Sequence, residues 1–246
     1  MPFYGPSGGA ASLADVLEDF DANRALLAWS DFTIDISPIA NRGTFDFGLS
    51  RFDVNGTANQ ESANTGGIIY LDTSADAGDD HISVITYEGG PADFAKDPHV
   101  KFKCAFETAQ SALQAQGGGF IDNAGANTWE STDHDCAFFR SITTGNLFAV
   151  TGSGSSETTT DLGSVYTLGD TAIFEVIASG NGTTWTYKIN GTTRATHTSN
   201  LPNAKMKVGV GISNNTTTAC RINNLDYLWA TQDRDCLLYT SDAADE

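Results

Sequence analysis

TWTYKINGTTRATH, residues 184–197, is the stretch on which the fold class turns. Trp185, Tyr187 and Ile189 occupy alternate positions, so in an extended chain they share one face while Thr184, Thr186 and Lys188 share the other. Asn190-Gly191 follows, the pair that most readily supplies the two positive φ angles of a type I′ turn, and Thr192 to Thr198 runs back. The stretch predicts a β-hairpin with its aromatic side in a core.

The same period of two spreads outward from it. In Lys205 to Ile212, Met206, Val208, Val210 and Ile212 face one way, and in Lys101 to Glu107, Phe102, Cys104 and Phe106 do the same. Ala172 to Ala178 is apolar on both faces apart from Glu175, which predicts a central, covered strand. Gly67 to Thr73 and His81 to Glu88 read as two strands joined by the acidic loop SADAGDD. Arg221 to Trp229 reads as the closing strand, with a bulge at Asn223-Asn224. One early segment has helical rhythm: Ser12 as cap, Asp15 closing a capping box, and Leu13, Val16, Leu17 and Phe20 along one side. The result is an all-β chain, an antiparallel β-sandwich with a short N-terminal helix or extension. Its predicted organisation is an extension over 1–66 that packs on or pairs with the sandwich, a sandwich over 67–235, and a tail over 236–246.

The chain has 246 residues, with Lys+Arg 13 against Asp+Glu 31 and a net charge of −18. Such a surface repels nucleic acid and anionic membrane, so neither is expected as a partner. No run approaches the roughly 18 apolar residues of a membrane span, and MPFYGPSGGA lacks the basic and apolar regions of a secretory signal, so a soluble, non-exported protein is expected. Cys104, Cys136, Cys220 and Cys236 are far apart with no CxxC spacing, which predicts buried free thiols and argues against zinc. The terminal CLLYTSDAADE, from Cys236 to Glu246, resembles a translated sequencing adapter of the kind left on reading frames assembled from environmental DNA.

Candidate chemistry gathers in WESTDHDC, where Asp133 and Asp135 fall on one face of an extended segment beside Trp129. Paired carboxylates can hydrolyse a glycosidic bond. Trp129, Asp133 and Asp135 can instead bind sugar, the indole stacking on C–H faces and the carboxylates accepting hydroxyl hydrogen bonds. The plain alternative is a solvated acidic loop. Asp72, Asp76, Asp79 and Asp80 suit calcium, a hard ion, but lack EF-hand spacing and read as a solvated turn, so no metal site is assigned. His81, His99, His134 and His197 are scattered, with His197 expected on the hairpin surface, and no Ser or Cys sits in a nucleophile motif. Trp185, Tyr187, Phe174 and Phe106 alternate as core residues do.

From Gly67 to Trp229 the segments IIYLDT, ISVITYE, KFKCAFET, GFIDNAG, CAFFRS, TTTDLG, FEVIASG, the Asn-Gly hairpin, Leu201-Pro202, VGVGISN and INNLDYLW follow one another in an order that resembles the concanavalin A-like (lectin/glucanase) jelly-roll domain of tailed-phage structural proteins. The glucanase branch of that fold carries Glu-x-Asp-x-x-Glu on one strand and the lyase branch Gln-x-His; this chain has neither, so no catalytic residues are assigned. The resemblance implies a non-enzymatic structural or decoration protein of the virion, on tail, fibre or capsid. It would contact other virion proteins or further copies of itself, display polar loops at 122–135 and 151–160, and need no cofactor, calcium being the ion its acidic loop would suit. Weak adhesion to cell-surface glycan is compatible with that role. The alternatives on the same fold are a glycan-active enzyme, glucanase or polysaccharide lyase, and a free carbohydrate-binding lectin.

Overall fold

The computed structural model describes residues 24–30, 49–54, 56–60, 68–73, 80–86, 92–107, 114–122, 129, 135–141, 145–214 and 220–233. In chain order the strands are β1 (Arg24–Ser30), β2 (Leu49–Val54), β3 (Gly56–Gln60), β4 (Ile69–Thr73), β5 (Asp80–Thr86), β6 (His99–Phe106), β7 (Gln114–Ile121), β8 (Cys136–Ser141), β9 (Leu147–Ser153), β10 (Ser156–Asp161), β11 (Ala172–Ser179), β12 (Thr184–Ile189), β13 (Thr192–His197), β14 (Lys207–Asn214) and β15 (Arg221–Asp233). They form two antiparallel sheets. The eight-stranded sheet has the order β13-β12-β11-β6-β15-β4-β3, with β1 also pairing β15; the seven-stranded sheet has the order β10-β9-β8-β7-β14-β5-β2.

The core lies between the sheets and is built by the alternation read from the sequence. Phe102 of β6, Phe174 of β11 and Tyr187 of β12 meet Phe139 of β8, and Phe106 of β6 packs on Phe102 and Phe174. Phe174 stacks on Phe102 at 5.4 Å between ring centroids and meets Phe139 edge-on at 5.0 Å, the geometries that aromatic quadrupoles favour. Trp185 meets Phe120 of β7 across the gap at 5.6 Å. At the β12–β13 turn Asn190 and Gly191 have φ of 51° and 75°, as a type I′ turn requires. The predicted bulge is present: β15 slips register past Asn223 and Asn224, and Asn224 has φ 53°.

The structure adds one feature to the reading and corrects two expectations. First, β4 and β5, though consecutive, do not pair: β4 lies between β15 and β3, β5 between β14 and β2, so the acidic connection passes from one sheet to the other. Second, residues 151–160 are no displayed loop; they are the paired ends of β9 and β10 around a tight turn at Gly154. Third, β11 is covered less evenly than predicted, since Ile173 and Ile177 on its outward side are half-buried. Strands β1, β2 and β3 pair β15, β5 and β4. The predicted helix around residues 12–20 and the 236–246 tail lie outside the described residues.

Candidate functional site

Strand β7 reads QAQGGGFI, and its three glycines shape the face on which Trp129 lies. Gly118 points into the inter-sheet core, where a Cβ would stand 2.5 Å from the Phe102 ring. Gly117 points outward, where a Cβ would stand 2.1 Å from Trp129 Cε3. Gly119 has φ +145°, and a Cβ there would meet the Ala137 carbonyl at 2.5 Å. Glycine thus lets an aromatic ring press on each face of one strand, one ring against bare backbone on either side. Trp129 is fully buried, edge-on to Phe138 of β8 at 5.5 Å, and packs with Ala115, Ile121, Cys136 and Val150 in a second apolar cluster outside the main core. Its backbone N–H donates to Ser213 Oγ of β14 at 3.4 Å.

Beside this cluster β8 and β10 bring a charged pair together. Arg140 donates through Nη1 and Nη2 to the two carboxylate oxygens of Glu157 at 2.9 and 2.8 Å, with side-chain exposures of 7% and 10%. The guanidinium also lies over Phe138 at 5.9 Å. A bidentate pair in so dry a setting offsets much of its own desolvation and leaves neither oxygen of Glu157 without a donor. Burial, and then the nearby Glu157 carboxylate, push the Cys136 thiol far up, so it does not supply a thiolate nucleophile.

Of the three residues expected to bind, Trp129 is therefore a packing residue: a ring with no accessible surface offers no face to a sugar. Asp135 is drawn elsewhere, its Oδ1 accepting the Asn203 backbone N–H at 2.7 Å and its carbonyl accepting that of Asp122 at 3.0 Å. Asp133 lies outside the described residues. Asp72, from the candidate calcium loop, accepts from Arg221 at 3.1 and 2.5 Å, and among the described residues no three His, Cys, Asp or Glu side chains converge to hold a metal. Arg140 and Glu157 were not singled out in the sequence. Three consecutive glycines within a strand imply that something sits against them, which marks the seat of Trp129, but nothing local marks the Arg140–Glu157 pair.

His197 is also corrected. It is buried, with Nδ1 3.0 Å from Thr151 Oγ1 of β9 and Nε2 2.9 Å from Thr160 Oγ1 of β10, so it ties the edge of one sheet to the edge of the other. Thr151 Oγ1 also lies 3.3 Å from the Ser199 carbonyl, a second partner within reach of its hydroxyl. Burial holds the His197 pKa below the ordinary histidine value. Cys104 and Cys220 are buried free thiols like Cys136, as the spacing predicted, and Cys236 lies outside the described residues.

The outer face of the eight-stranded sheet carries charge instead. Glu175 of β11 stands between Lys188 of β12 and Lys101 of β6, with His99 Nε2 3.3 Å from its carboxylate. Lys103 holds the buried Asp226 at 2.8 Å.

Two antiparallel sheets in this strand order define the class: a concanavalin A-like jelly-roll sandwich. No protein-family model and no curated protein matches the sequence. Among solved structures the chain is similar to a protein of unknown function from Shewanella oneidensis MR-1, at 14% identity over 93% of this chain and 97% of that one, with a TM-score of 0.58. It is similar to the carbohydrate recognition domain of Emp47p at 9% identity, over 87% of this chain and 100% of that one, with a TM-score of 0.56. It is also similar to an endo-1,3-beta-glucanase from Streptomyces sioyaensis at 10% identity, over 86% of this chain and 97% of that one, with a TM-score of 0.51. Likeness at such identity establishes the fold and leaves function to the residues. Among the described residues no helix is long and apolar enough to cross a membrane.

Proposed function

We propose that this chain is a non-enzymatic jelly-roll module of a phage particle, a structural or decoration protein whose sandwich serves cohesion and display. One observation carries the non-enzymatic part. A glycan hydrolase of this architecture needs an open trough with two carboxylates free to reach substrate. Here the outer face of the seven-stranded sheet is closed over Gly117 by Trp129, and the carboxylate beside it, Glu157, gives both oxygens to Arg140. The order of strand motifs, similar to that of tailed-phage structural domains, supports the particle, and the net charge of −18 suits a surface that must stay clear of cellular polyanions.

Mass spectrometry of purified particles tests the setting, and incubation of the intact protein with β-glucan and alginate tests the chemistry. The expected results are the chain among the particle proteins and no release of reducing or unsaturated ends. Release of either that is abolished by Glu157→Gln would overturn the non-enzymatic reading. The second reading, a carbohydrate-binding module, is favoured by the similarity spanning the whole Emp47p carbohydrate recognition domain. Binding on a glycan panel by a chain absent from particles would put that reading first.

A further inference from the structure

The sequence contains Asn-Gly-Thr three times, at Asn55, Asn181 and Asn190, so three asparagines share one local chemistry. Asn-Gly is the dipeptide in which the following backbone nitrogen most easily attacks the asparagine side chain, because glycine has no Cβ to obstruct it. Asn55 lies outside the described residues; the other two sit in turns at the two ends of β12, and the structure guards them differently.

At Asn181 the nucleophile is guarded. The Gly182 N–H donates to the Asp97 carboxylate at 2.9 Å, and the Gly182 carbonyl accepts from Trp185 Nε1 at 3.0 Å. Gly182 is buried against the 3-10 turn Phe94–Lys96, so tightly that a Cβ on it would stand 2.5 Å from the Phe94 carbonyl. A hydrogen bond from an amide to a carboxylate is of the strong, charge-assisted kind, and it opposes loss of the very proton that the reaction must remove. At Asn190 the peptide nitrogen has no such cover: Asn190 and Gly191 are both exposed. What restrains the site is the electrophile, since Asn190 Oδ1 accepts the Ile173 N–H at 2.9 Å, a neutral bond at the molecular surface.

We infer that Asn190-Gly191 is a self-modification site at which the chain deamidates spontaneously, and that Asp97 shields the chemically equivalent Asn181-Gly182. In the step, water or hydroxide takes the Gly191 amide proton and the nitrogen bonds to Cγ of Asn190. The bond from Cγ to Nδ2 breaks, and ammonia leaves with a proton from solvent. Water then opens the five-membered imide at either carbonyl, giving aspartate or isoaspartate at position 190. Nothing is oxidised or reduced. The product adds a negative charge and removes the amide from a turn whose returning strand, β13, carries the His197 clasp.

The shared tripeptide makes the test internally controlled. The intact protein is held at mildly alkaline pH, digested, and read by mass spectrometry for conversion at 181 and 190, beside the same chain in denaturant. In denaturant the two sites should convert alike. In the folded chain 181 should be protected at least about tenfold more than 190, the scale of one hydrogen bond to a charged group. Asp97→Ala should raise conversion at 181 and leave 190 unchanged. If it raises both, the fold has opened, and Asp97→Asn, which keeps a carbonyl acceptor without the charge, decides: partial loss of protection at 181 alone supports the inference, and unchanged protection overturns it. Equal protection of the two sites in the folded native chain overturns it as well.

Discussion

The two sheets turn opposite kinds of surface outward. On the eight-stranded sheet a cross-strand row runs Lys188, Glu175, Lys101, each opposite charge directly facing the next, with the Lys101 ammonium also 5.9 Å from the Trp229 ring. In such a row the half-buried lysines stay partly hydrated, and their attraction holds the largely buried Glu175 carboxylate between them. On the seven-stranded sheet the outward positions near β7 are glycine, alanine and isoleucine, and water there would lie on bare backbone and hydrocarbon. That face is stable only when covered, and Trp129 covers it. An open face and a closed one are told apart by what the strands lack. Charged side chains mark a finished surface, and a missing Cβ marks a seat.

The largest effect should come from emptying the seat. Trp129→Ala is expected to cost about 3–5 kcal/mol, the range for deleting a buried aromatic, read as a lower urea midpoint at unchanged slope. Gly117→Leu tests the same contact from the other side: the indole must leave, and its fluorescence should shift to the red. A Trp129→Ala variant as stable as the native chain would mean that the two faces do not differ in the way described. Next in size is Arg140→Ala, expected to cost about 3 kcal/mol by leaving the Glu157 carboxylate buried without its partner. The additional change Glu157→Gln should recover part of that loss, because the stranded charge is then gone.

The comparison also explains what was legible in the sequence. Six of the eight strands of the larger sheet were readable, β1 and β3 lying in the stretch read as an extension, since Phe102, Cys104 and Phe106, or Trp185, Tyr187 and Ile189, declare their inner face by alternation, and Asn190-Gly191 declares its turn. Trp129 was read as a binding residue because a tryptophan among acids in a loop has no periodicity to place it. Its burial depends on Gly117, which is adjacent in space and remote in sequence. His197 failed for the same reason: its partners Thr151 and Thr160 belong to the opposite sheet, and nothing local distinguishes a hairpin histidine that ties two sheets from one in solvent. The separation of β4 from β5 was likewise a matter of topology, since either pairing suits the same alternation.

Acid should dissect the molecule in two smaller steps. His197 has its pKa lowered by burial, so the unfolded chain binds the proton first. The stability it contributes is complete above its ordinary value of 6.5 and declines as pH falls from there through the folded pKa. Glu175 follows lower down. Burial raises its pKa, but the hydrogen bond from His99 and the charges of Lys101, His99 and Lys188 outweigh that and leave it below 4.5, so its contribution is complete above 4.5 and is lost as pH falls through the folded pKa. Urea midpoints measured down a pH series should show the first decline vanish in His197→Gln and the second in Glu175→Gln. A single decline, removed by either change, would show that the sheet-edge clasp and the charged row act as one unit.

The smallest effect belongs to Arg221, at the β4 end of the charged sheet. Its hydrogen bond to Asp72 raises its pKa, and its guanidinium lies 4.6 Å from the Tyr70 ring centroid, yet 42% of the side chain is exposed. Water and salt screen a pair so placed, and Arg221→Ala should cost only about 0.5 kcal/mol, most of it absent at about 1 M salt, where the Debye length is near 3 Å. Arg140 presents the same guanidinium to the same kind of acid with 7% exposure, and its larger loss should persist in that salt. The ratio of the two losses at high salt therefore isolates what the closed face adds to an ion pair. If both fall together, the neighbourhood of Trp129 and Phe138 is wetter than its packing requires.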